Sequence, residues 1–381
     1  MIDPKISFIL TNEYKRQSET VELIASENFA SQAVMDLCGS VFTNKYAEGY
    51  PGKRYYNGWK QMDEIETLAI DSVTKLYDCL HANVQPHSGV NANTAVYQAL
   101  MTPGATIMGM DLASGGHLSH GAPPTLSGKV YRSITYGVDE HGFLDYEEIE
   151  KLAALHKPQV IVAGASAYPR HINWKEFRII ADMVGAKLVC DMAHYSGLVA
   201  GGVYPSPLPY ADVVTSTTHK TLRGPRGGMI LWNNDALSKK INSGIFPGTQ
   251  GGPLMNIIAA KAQCYLEALD PSFKEYAKQI VLNAQAMVEV FNEKGFKVQT
   301  GGTDSHVILL NLSNNKYSGR EAADKLEEFG ITVNKNGIPN DPRNFIETSG
   351  IRIGTAAETT RGLKEEDFKK IANKICNLLG D

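Results

Sequence analysis

The stretch Ala211–Gly228, ADVVTSTTHKTLRGPRGG, decides the fold and contains the first candidate catalytic residue. Its run Val213–Thr218 is rich in β-branched residues, which is typical of a buried strand in a parallel sheet. The run ends at His219-Lys220 and leads into a glycine-rich loop. Because a lysine at the end of an apolar strand has little water around it, burial lowers its pKa and leaves a free amine that can attack a carbonyl.

A second predicted strand, Lys187–Cys190, ends in Asp191, 29 residues before Lys220. A carboxylate and an amine at neighbouring strand ends suit pyridoxal phosphate. The lysine binds the aldehyde of this cofactor as a Schiff base, and the acid keeps its ring nitrogen protonated. Each residue alone has a more ordinary explanation, since strand-end lysines usually lie at the surface and strand-end aspartates usually cap helices. The cofactor hypothesis therefore depends on phosphate and carboxylate sites elsewhere in the chain.

Length, charge and cysteine content bound the class of protein. The 381 residues include 37 Lys and Arg against 41 Asp and Glu, a net charge of −4 without any block of like charge. This balance predicts neither a nucleic-acid nor a membrane partner. Five scattered cysteines without CxxC spacing favour reduced thiols in a cytoplasmic protein over a disulfide framework or a zinc site. The start, MIDPKISFIL, lacks the pattern of a signal peptide, and no apolar run is long enough to span a bilayer.

Helical and strand patterns alternate from Gln61 to Trp232, which predicts an α/β fold with a parallel, doubly wound sheet. The predicted strands there are Ala82–Val84, Thr106–Met110, Gln159–Ala163, Lys187–Cys190, Val213–Thr217 and an extra one at Gly227–Trp232; the predicted helices are Gln61–Tyr77, Asn91–Leu100, Glu147–Leu155 and Trp174–Val184. An α+β pattern follows, with helices at Leu254–Leu269, Phe273–Lys294, Arg320–Phe329 and Lys364–Leu379 and strands at Phe296–Gln299, Ser305–Leu312 and Ile351–Gly354. A domain boundary is predicted at Asp270-Pro271, between a large domain over 16–270 and a small C-terminal domain over 271–381. Residues 1–15 are predicted to form an N-terminal arm.

Two glycine-containing segments are candidate phosphate sites. Gln85–Gly89, QPHSG, leads into the helix predicted at Asn91–Leu100, and a helix N-terminus presents backbone N–H groups to an anion. The loop Phe246–Pro253, FPGTQGGP, can supply further N–H donors. The alternatives are an ordinary helix N-cap and a plain turn between helices.

Other residues suit a flat ring and a carboxylate. The pair Gly115-Gly116 lets the backbone approach a flat ligand, so that His117 can lie over one face of a ring and Ala193 under the other. Arg352, within a predicted strand, can bind a carboxylate through two parallel hydrogen bonds. A satisfied loop histidine and a structural ion pair are the respective alternatives.

The stretch Asn44–Gly58, NKYAEGYPGKRYYNG, is a rigid loop with four tyrosines. Glu48 can act as an acid or base if it is partly buried, because burial raises the pKa of a carboxyl toward neutrality. The phenols of Tyr46 and Tyr56 can bond a phosphate or a carboxylate. A tyrosine-rich interface between subunits is the alternative, and the two interpretations are compatible.

Taken together, these segments resemble the serine hydroxymethyltransferases, a family of fold-type I pyridoxal-phosphate enzymes. The matching stretches follow the family's order along nearly the whole chain: IASEN (24–28), NKYAEGYPGKRYY (44–56), NVQPHSG (83–89), GGHLSHG (115–121), SAYPR (166–170), DMAH (191–194), TTHKTLRGPRGG (217–228), FPGTQGGP (246–253), NKN (334–336) and TSGIRIGT (348–355). The resemblance implies a large domain with a mostly parallel seven-stranded sheet and a smaller C-terminal α+β domain. It also implies reversible interconversion of L-serine and glycine with transfer of the one-carbon unit to tetrahydrofolate, in a homodimer or a dimer of dimers with shared active sites.

The resemblance also implies a role for each matching residue. Lys220 would bind pyridoxal phosphate covalently, Asp191 would pair with the ring nitrogen, and His117 would stack on the ring. The other cofactor-binding residues would be Ser88 and Gly89 at the phosphate, Ser166 and His194 at the phenolic oxygen, Thr217, and, from the other subunit, Tyr46, Gly251 and Gly252. Ser26 and Arg352 would bind the substrate carboxylate; Tyr46, Glu48 and Tyr56 would enter from a neighbouring chain, with Glu48 moving protons near the substrate hydroxyl. Folate would lie near Leu112, Gly116, Leu118 and Asn336.

Some features depart from the family's pattern. The chain reads Ser88-Gly89-Val90-Asn91, where the family usually has SGSQ or SGAQ, so a phosphate-binding hydroxyl is missing at Val90. Ser114 stands where the family's DLAHGGH has a histidine. The chain also ends at Asp381, about a helix earlier than the pattern implies, and its start is short by an arm.

Two rival functions remain open at this point. One is a folate-independent aldolase acting on threonine-like β-hydroxy amino acids, and Asn334–Asn336 and the Leu112–Leu118 loop favour folate over it. The other is a cofactor-free binding or regulatory protein on the same scaffold, against which the set Lys220, Asp191 and His117 argues.

Overall fold

The computed structural model of the chain describes residues 1–380. The α-helices within them are α1 Pro4–Glu19, α2 Gln32–Cys38, α3 Lys60–Tyr77, α4 Gly89–Leu100, α5 Leu126–Val130, α6 Tyr146–His156, α7 Trp174–Val184, α8 Ser196–Ala200, α9 Asp235–Ile245, α10 Met255–Ala268, α11 Pro271–Glu293, α12 Gly319–Glu328, α13 Ala356–Thr360 and α14 Glu365–Gly380. The strands are β1 Val21–Glu22, β2 Gly49–Tyr50, β3 Lys53–Arg54, β4 His81–Asn83, β5 Thr106–Met110, β6 Arg132–Tyr136, β7 Val160–Ala163, β8 Lys187–Asp191, β9 Val213–Thr217, β10 Gly228–Trp232, β11 Lys297–Val298, β12 Val307–Asn311, β13 Ile331–Thr332, β14 Asn334–Asn336 and β15 Gly350–Gly354.

The main sheet has seven strands in the order β4-β10-β9-β8-β7-β5-β6. The five strands from β9 to β6 are parallel, and β10 runs antiparallel to both of its neighbours. All residues of β7, β9 and β10 are buried, which is why these segments read as continuous apolar or β-branched runs. The predicted mostly parallel seven-stranded sheet is confirmed, and the extra strand expected at Gly227–Trp232 is its antiparallel member.

Helices cover both faces of this sheet, as a doubly wound fold requires. Alternate residues of a strand point to opposite faces, so Ile161 packs into one apolar cluster while Val160 and Val162 pack into another. The first cluster contains side chains of α3, α7 and α10, and the second contains side chains of α4 and α9. The helix expected at Asn91–Leu100 begins two residues earlier, at Gly89, because Ser88 caps it.

One strand of the sheet was not predicted. The edge strand β6 has the sequence RSITY, and only its last residue is buried. Its side chains therefore lack the apolar run that identified the other strands. Edge strands contact one neighbour only, which removes the need for such a run.

A smaller antiparallel sheet, in the order β11-β12-β15-β14, lies in the C-terminal part of the chain. It packs with α11, α12 and α14 around a separate apolar cluster. The helix α11 serves both parts, since Ile280 belongs to the core of the large sheet and Phe291 to the small one. The domain limits 1–15, 16–270 and 271–381 stay a prediction. No helix within residues 1–380 combines the length and apolarity needed to cross a membrane.

The N-terminal segment around Leu23 joins the C-terminal core. The strand β1 pairs in parallel with β13, and the backbone N–H of Leu23 donates to Thr332 O at 2.9 Å. On its other side, the N–H of Gly354 donates to Leu23 O at 2.7 Å, and a side chain at Gly354 would collide with Ala25. The segment is thereby fixed between β13 and β15, and it carries Ser26 to the strand that contains Arg352.

We expect Leu23→Ala to lower the free energy of unfolding by about 2–5 kcal/mol, because Leu23 is fully buried and its removal leaves a cavity. Chemical denaturation followed by circular dichroism measures the change. The control is Leu155→Ala on α6, which makes the same truncation at a residue that is 75% exposed and should change stability by less than about 0.5 kcal/mol. Equal effects of the two substitutions would contradict the assignment of Leu23 to the core.

Candidate active site

A cavity of about 470 Å³ opens at the carboxyl ends of β7, β8 and β9. Ligand sites of parallel α/β sheets lie at this edge, because the loops that follow the strands meet there. The residues from the sequence analysis that line it are Ser26, Ser88, Gly89, Val90, His117, Ser166, Asp191, Ala193, His194, Thr217, Lys220 and Arg352. Residues separated by more than 300 positions in the sequence thus surround one cavity.

Lys220 is nearly inaccessible to solvent, with 9% of its surface exposed. Its Nζ donates to Thr217 Oγ1 at 3.2 Å, one turn of backbone away at the end of β9. Burial lowers the pKa of Lys220 to about 8, with the carboxylate of Asp191 opposing the shift and the guanidinium of Arg352 adding to it. The side chain is therefore a poised nucleophile and not a surface lysine.

Asp191, the last residue of β8, stays ionised despite its burial. Its Oδ2 accepts from Asn93 Nδ2 at 2.9 Å and lies 3.0 Å from His120 Nε2, and its Oδ1 accepts from the backbone N–H of Ala193 at 3.0 Å. Burial alone raises the pKa of a carboxyl, but the hydrogen bond and the electrostatic interaction with His120, together with the hydrogen bond from Asn93, outweigh it and hold the pKa of Asp191 well below its usual range. The helix-cap explanation for Asp191 does not apply, since the carboxylate is held inside the cavity.

His117 lies at the cavity as a neutral ring. Burial lowers its pKa to about 4, and the electrostatic interactions with His120, Lys220 and Arg352 add to that shift while Asp191 opposes it. Its Nδ1 is 2.7 Å from Ser119 Oγ, which fixes the ring at the start of a short 3₁₀ turn. A neutral, oriented imidazole is suited to lie against a flat ligand.

Arg352, on β15, is directed into the cavity from the small sheet. Its Nε donates to Asn334 Oδ1 at 2.9 Å, and its Nη1 donates to the backbone carbonyl of Ser166 at 2.8 Å. Among residues 1–380 no carboxylate forms a salt bridge with it, so the structural ion pair considered as an alternative is not observed. Burial lowers its pKa to about 10, which leaves a charged guanidinium with donors free for a ligand.

Ser88 and Gly89 form the N-terminus of α4 at the cavity wall. Ser88 Oγ accepts from the N–H of Asn91 at 3.2 Å, so the N-cap considered as an alternative is present and faces the cavity. A Cβ on Gly89 would lie 2.7 Å from Thr217 Cγ2, so the glycine allows α4 to approach β9. Val90 is 50% exposed beside them, and its side chain offers no hydroxyl to an anion.

Five predicted site residues form a second cluster, outside this cavity. Tyr46, 58% exposed, donates to Glu48 Oε1 at 3.3 Å, and its ring meets that of Tyr56 edge-on at 5.6 Å. A Cβ on Gly251 would lie 3.3 Å from Glu48 Oε1, and a Cβ on Gly252 would lie 3.2 Å from the Tyr46 ring. The chain brings these five residues together with one another but not with Lys220.

The predicted folate residues also lie off the cavity lining. Leu118 is 49% exposed at the start of the 3₁₀ turn, and Asn336, on β14, donates to Gly337 O at 2.7 Å. Gly116 has a structural reason to be glycine, because a Cβ there would collide with the carbonyl of Met110. Leu112 is partly buried in the loop that follows β5.

Several residues that line the cavity were not predicted from the sequence: Glu27, Asn93, His120, His219 and Arg226. Asn93 lies one helical turn after Gly89 on α4, so it continues the face that begins at the phosphate candidate. His120 follows His117 by one 3₁₀ turn, and His219 is the neighbour of Lys220. These spacings were visible, but the contacts to Asp191 that give Asn93 and His120 their importance are long-range.

Comparison with known proteins agrees with this geometry. The sequence model of the serine hydroxymethyltransferase family matches residues 1–375. Over 380 residues the chain is 57% identical to serine hydroxymethyltransferase 2 of Pseudomonas fluorescens (strain Pf0-1), which covers 100% of this chain and 91% of that protein. The same figures hold for serine hydroxymethyltransferase 2 of Pseudomonas putida (strain KT2440). Serine hydroxymethyltransferase of Rickettsia akari is 55% identical over 378 residues, covering 99% of this chain and 90% of that protein.

The chain belongs to the serine hydroxymethyltransferase family. The predicted family, the fold-type I α/β architecture and the assignment as a pyridoxal-phosphate enzyme using tetrahydrofolate as co-substrate are confirmed, and so is the interconversion of serine and glycine. The predicted roles of individual residues stay predictions.

Pyridoxal phosphate fits the cavity in three respects. Lys220 offers an amine whose pKa burial lowers to about 8, Asp191 offers an ionised carboxylate, and the N-terminus of α4 at Ser88 and Gly89 offers N–H groups to the phosphate. The three lie around one cavity of about 470 Å³, a size typical of small-molecule sites.

We expect the amine of Lys220 in the cofactor-free enzyme to become reactive as the pH rises through about 8, because only the deprotonated form is nucleophilic. At pH 8 about half of it is free amine, against roughly 0.3% for an ordinary lysine. Competitive acetylation, read by mass spectrometry as a function of pH, measures this. Asp191→Asn removes the negative charge that raises this pKa and should move the midpoint to lower pH.

Lys151, exposed on α6 and read in the same digest, is the internal comparison. Acetylation of Lys220 that rises only above about pH 10 would contradict its placement in a dry cavity.

Proposed function

We propose that the chain interconverts L-serine and glycine in the cavity around Lys220, with Arg352 as the group that binds the amino acid's carboxylate. The observation that carries this proposal is the guanidinium of Arg352, held by Asn334 and the carbonyl of Ser166 and lacking a carboxylate partner among residues 1–380. Leaving a partly buried charge without a counter-ion is costly unless a ligand supplies one. An α-carboxylate supplies the charge and the two oxygens that the guanidinium can grip.

When bound, pyridoxal phosphate supplies the sink for the electron pair left by cleavage of the substrate's Cα–Cβ bond. Asp191 holds a proton on the ring nitrogen of the cofactor, since its carboxylate stays ionised. Lys220 offers a free amine near neutral pH, and Ser88 with Gly89 receives the phosphate. Arg352 and Ser26 fix the carboxylate and thereby the orientation of the bond to be broken, which lowers the entropic part of the barrier.

We propose further that two chains complete each active site. The exposed Tyr46 and Tyr56 form a cluster with the partly buried Glu48 and with Gly251 and Gly252, away from the cavity of their own chain. Large exposed aromatic side chains are enriched where subunits meet. In a homodimer, or a dimer of dimers, this cluster would enter the partner's cavity, where Glu48 would move a proton between the substrate hydroxymethyl group and folate.

The exposed helix α1 supports the same assembly. None of its residues is buried, and Ile6, Ile9 and Leu10, which helical spacing places on one side, are 44–66% exposed. An apolar helix face of this kind is stable in water when a second subunit covers it.

We also propose a cytoplasmic location. The five cysteines are free, and Cys190, Cys264 and Cys376 are buried as thiols. Reduced thiols without a disulfide are typical of reducing compartments.

The function is tested by measuring glycine formation from serine by the purified enzyme with and without tetrahydrofolate. We expect glycine formation to depend on tetrahydrofolate. The same rate of glycine formation without tetrahydrofolate would favour the aldolase alternative. In this assay Arg352→Lys should raise KM for serine by about 10–100-fold with a smaller effect on kcat, because a point charge cannot replace the two-pronged bond. The control is Arg320→Lys, the same exchange at a half-exposed residue of α12. An unchanged KM for serine in Arg352→Lys would contradict the proposed role.

The shared site is tested with a hybrid dimer of one Lys220→Ala chain and one Glu48→Gln chain, isolated with two affinity tags. Each parent variant should be nearly inactive. The hybrid contains one site with both native residues if Glu48 comes from the partner, so we expect about half of the wild-type activity per dimer. A hybrid as inactive as its parents would show that Lys220 and Glu48 of the same chain serve one site.

A further inference from the structure

A second buried lysine, Lys261, lies beneath the phosphate candidate and is used by no step described above. It belongs to α10 and has 1% of its surface exposed. Its Nζ donates to three backbone carbonyls: Val84 O at 2.6 Å, Pro86 O at 3.0 Å and Gly228 O at 2.8 Å. Every hydrogen of the ammonium therefore has an acceptor.

Burying the charge of Lys261 lowers the stability of the fold, so stability alone does not explain this arrangement. Burial lowers the pKa of Lys261 to about 7, and the carboxylate of Glu66, which opposes that shift, is already paired with Arg54 at 2.5 Å. A neutral amine has only two hydrogens, so the three bonds require the ammonium form. An apolar residue at this position of α10 would fill the same core space without burying a charge. The position of the three carbonyls indicates the role of the Lys261 ammonium.

The three carbonyls lie in the two segments next to cavity-lining residues, namely Ser88 in one segment and Arg226 in the other. Val84 and Pro86 lie in the segment that runs from β4 to Ser88, which is the phosphate wall. Gly228 begins β10, directly after the loop that follows Lys220. The N–H of Gly228 also donates to Pro86 O at 3.0 Å, so the two segments meet at the point that Lys261 grips.

Two glycines allow the segment before β10 to pack closely against Lys261 and the phosphate wall. A Cβ on Gly227 would collide with Cε of Lys261, and a Cβ on Gly228 would collide with the carbonyl of Ser88. Gln250, in the loop between α9 and α10, also binds the phosphate wall. Its Nε2 donates to Gln85 O at 2.8 Å, and its Oε1 accepts from the N–H of His87 at 3.1 Å. Backbone groups of four successive residues, 84 to 87, are thus held by two side chains.

We infer that Lys261 is a positioning residue for the cofactor's phosphate: its ammonium clamps the Val84–Ser88 segment to Gly228 and so presents the N-terminus of α4 to a phosphate monoester. The inference rests on the proposed assignment of Ser88 and Gly89 to that phosphate. Lys261 touches no ligand itself. In the ammonium form that the three carbonyls stabilise, Lys261 also places a positive charge beneath the wall, which favours an anion at the site.

The test compares pyridoxal phosphate with pyridoxal, which lacks the phosphate, in equilibrium titrations of the cofactor-free full-length chain followed by visible absorbance. The wild-type protein should bind pyridoxal phosphate much more tightly. Lys261→Met should raise the Kd for pyridoxal phosphate by about tenfold or more, because three carbonyls lose their donor and the wall shifts. The Kd for pyridoxal should change by less than about threefold, since Lys220 is untouched.

The matched control is Tyr265→Phe on the same helix. Tyr265 is fully buried, and its hydroxyl contacts Met229 Sδ at 3.5 Å, so its loss perturbs the same core without touching the phosphate wall. It should lower thermal stability without changing the ratio of the two Kd values. Lys261→Gln, whose amide has two donor hydrogens, should give an intermediate ratio, and it decides the question if the Met variant does not fold.

The outcomes separate the two levels of inference. A wild-type protein that fails to distinguish pyridoxal phosphate from pyridoxal would overturn the proposed phosphate site. A wild-type protein that distinguishes them, together with Lys261 variants that keep the wild-type ratio and lose only thermal stability, would overturn the positioning role alone.

Discussion

The proposed active site depends on a free amine and a charged carboxylate within one dry cavity. Burial pushes both groups toward neutrality, which suits Lys220 and would disable Asp191. The difference lies in their partners. Lys220 donates to a neutral hydroxyl, whereas Asp191 receives donors from Asn93 and the backbone of Ala193 and lies beside His120. The same low dielectric therefore gives opposite protonation states at two adjacent strand ends.

The parallel sheet is the reason that Asp191 and Lys220 could be predicted from the sequence. The strands β8 and β9 are buried on both faces, so each reads as an apolar or β-branched run whose end is easy to locate. Asp191 and Lys220 could be assigned because Asp191 is the last residue of β8 and Lys220 lies three residues after the end of β9. The edge strand β6 could not be found, because its residues are mostly accessible and carry no apolar pattern. The local hydrophobic pattern thus predicts the central strands of the sheet and the residues at their ends.

The supporting residues were harder to predict for a physical reason. Asn93 contacts Asp191 across 98 positions of sequence, and Arg352 contacts Ser166 across 186. No periodicity encodes such distances. A residue's type narrows what it can do, as the guanidinium of Arg352 did, but whether a carboxylate already pairs with it is decided by tertiary packing. The ion-pair alternative for Arg352 could be set aside only once its neighbours were known.

The cluster at Tyr46 and Glu48, which we propose enters a partner's cavity, is connected to the wall of this chain's own cavity. Its loop is held from below by Arg54, which bonds Glu66 and the carbonyls of Ala47 and Gly49. Gln85 bonds that same Glu66 and Gly49 O, and it lies in the wall that carries Ser88. The loop proposed to serve the partner and the wall proposed to bind this chain's own phosphate therefore share one buried polar network. Such a network permits little independent movement, because displacing either part leaves buried polar groups unpaired.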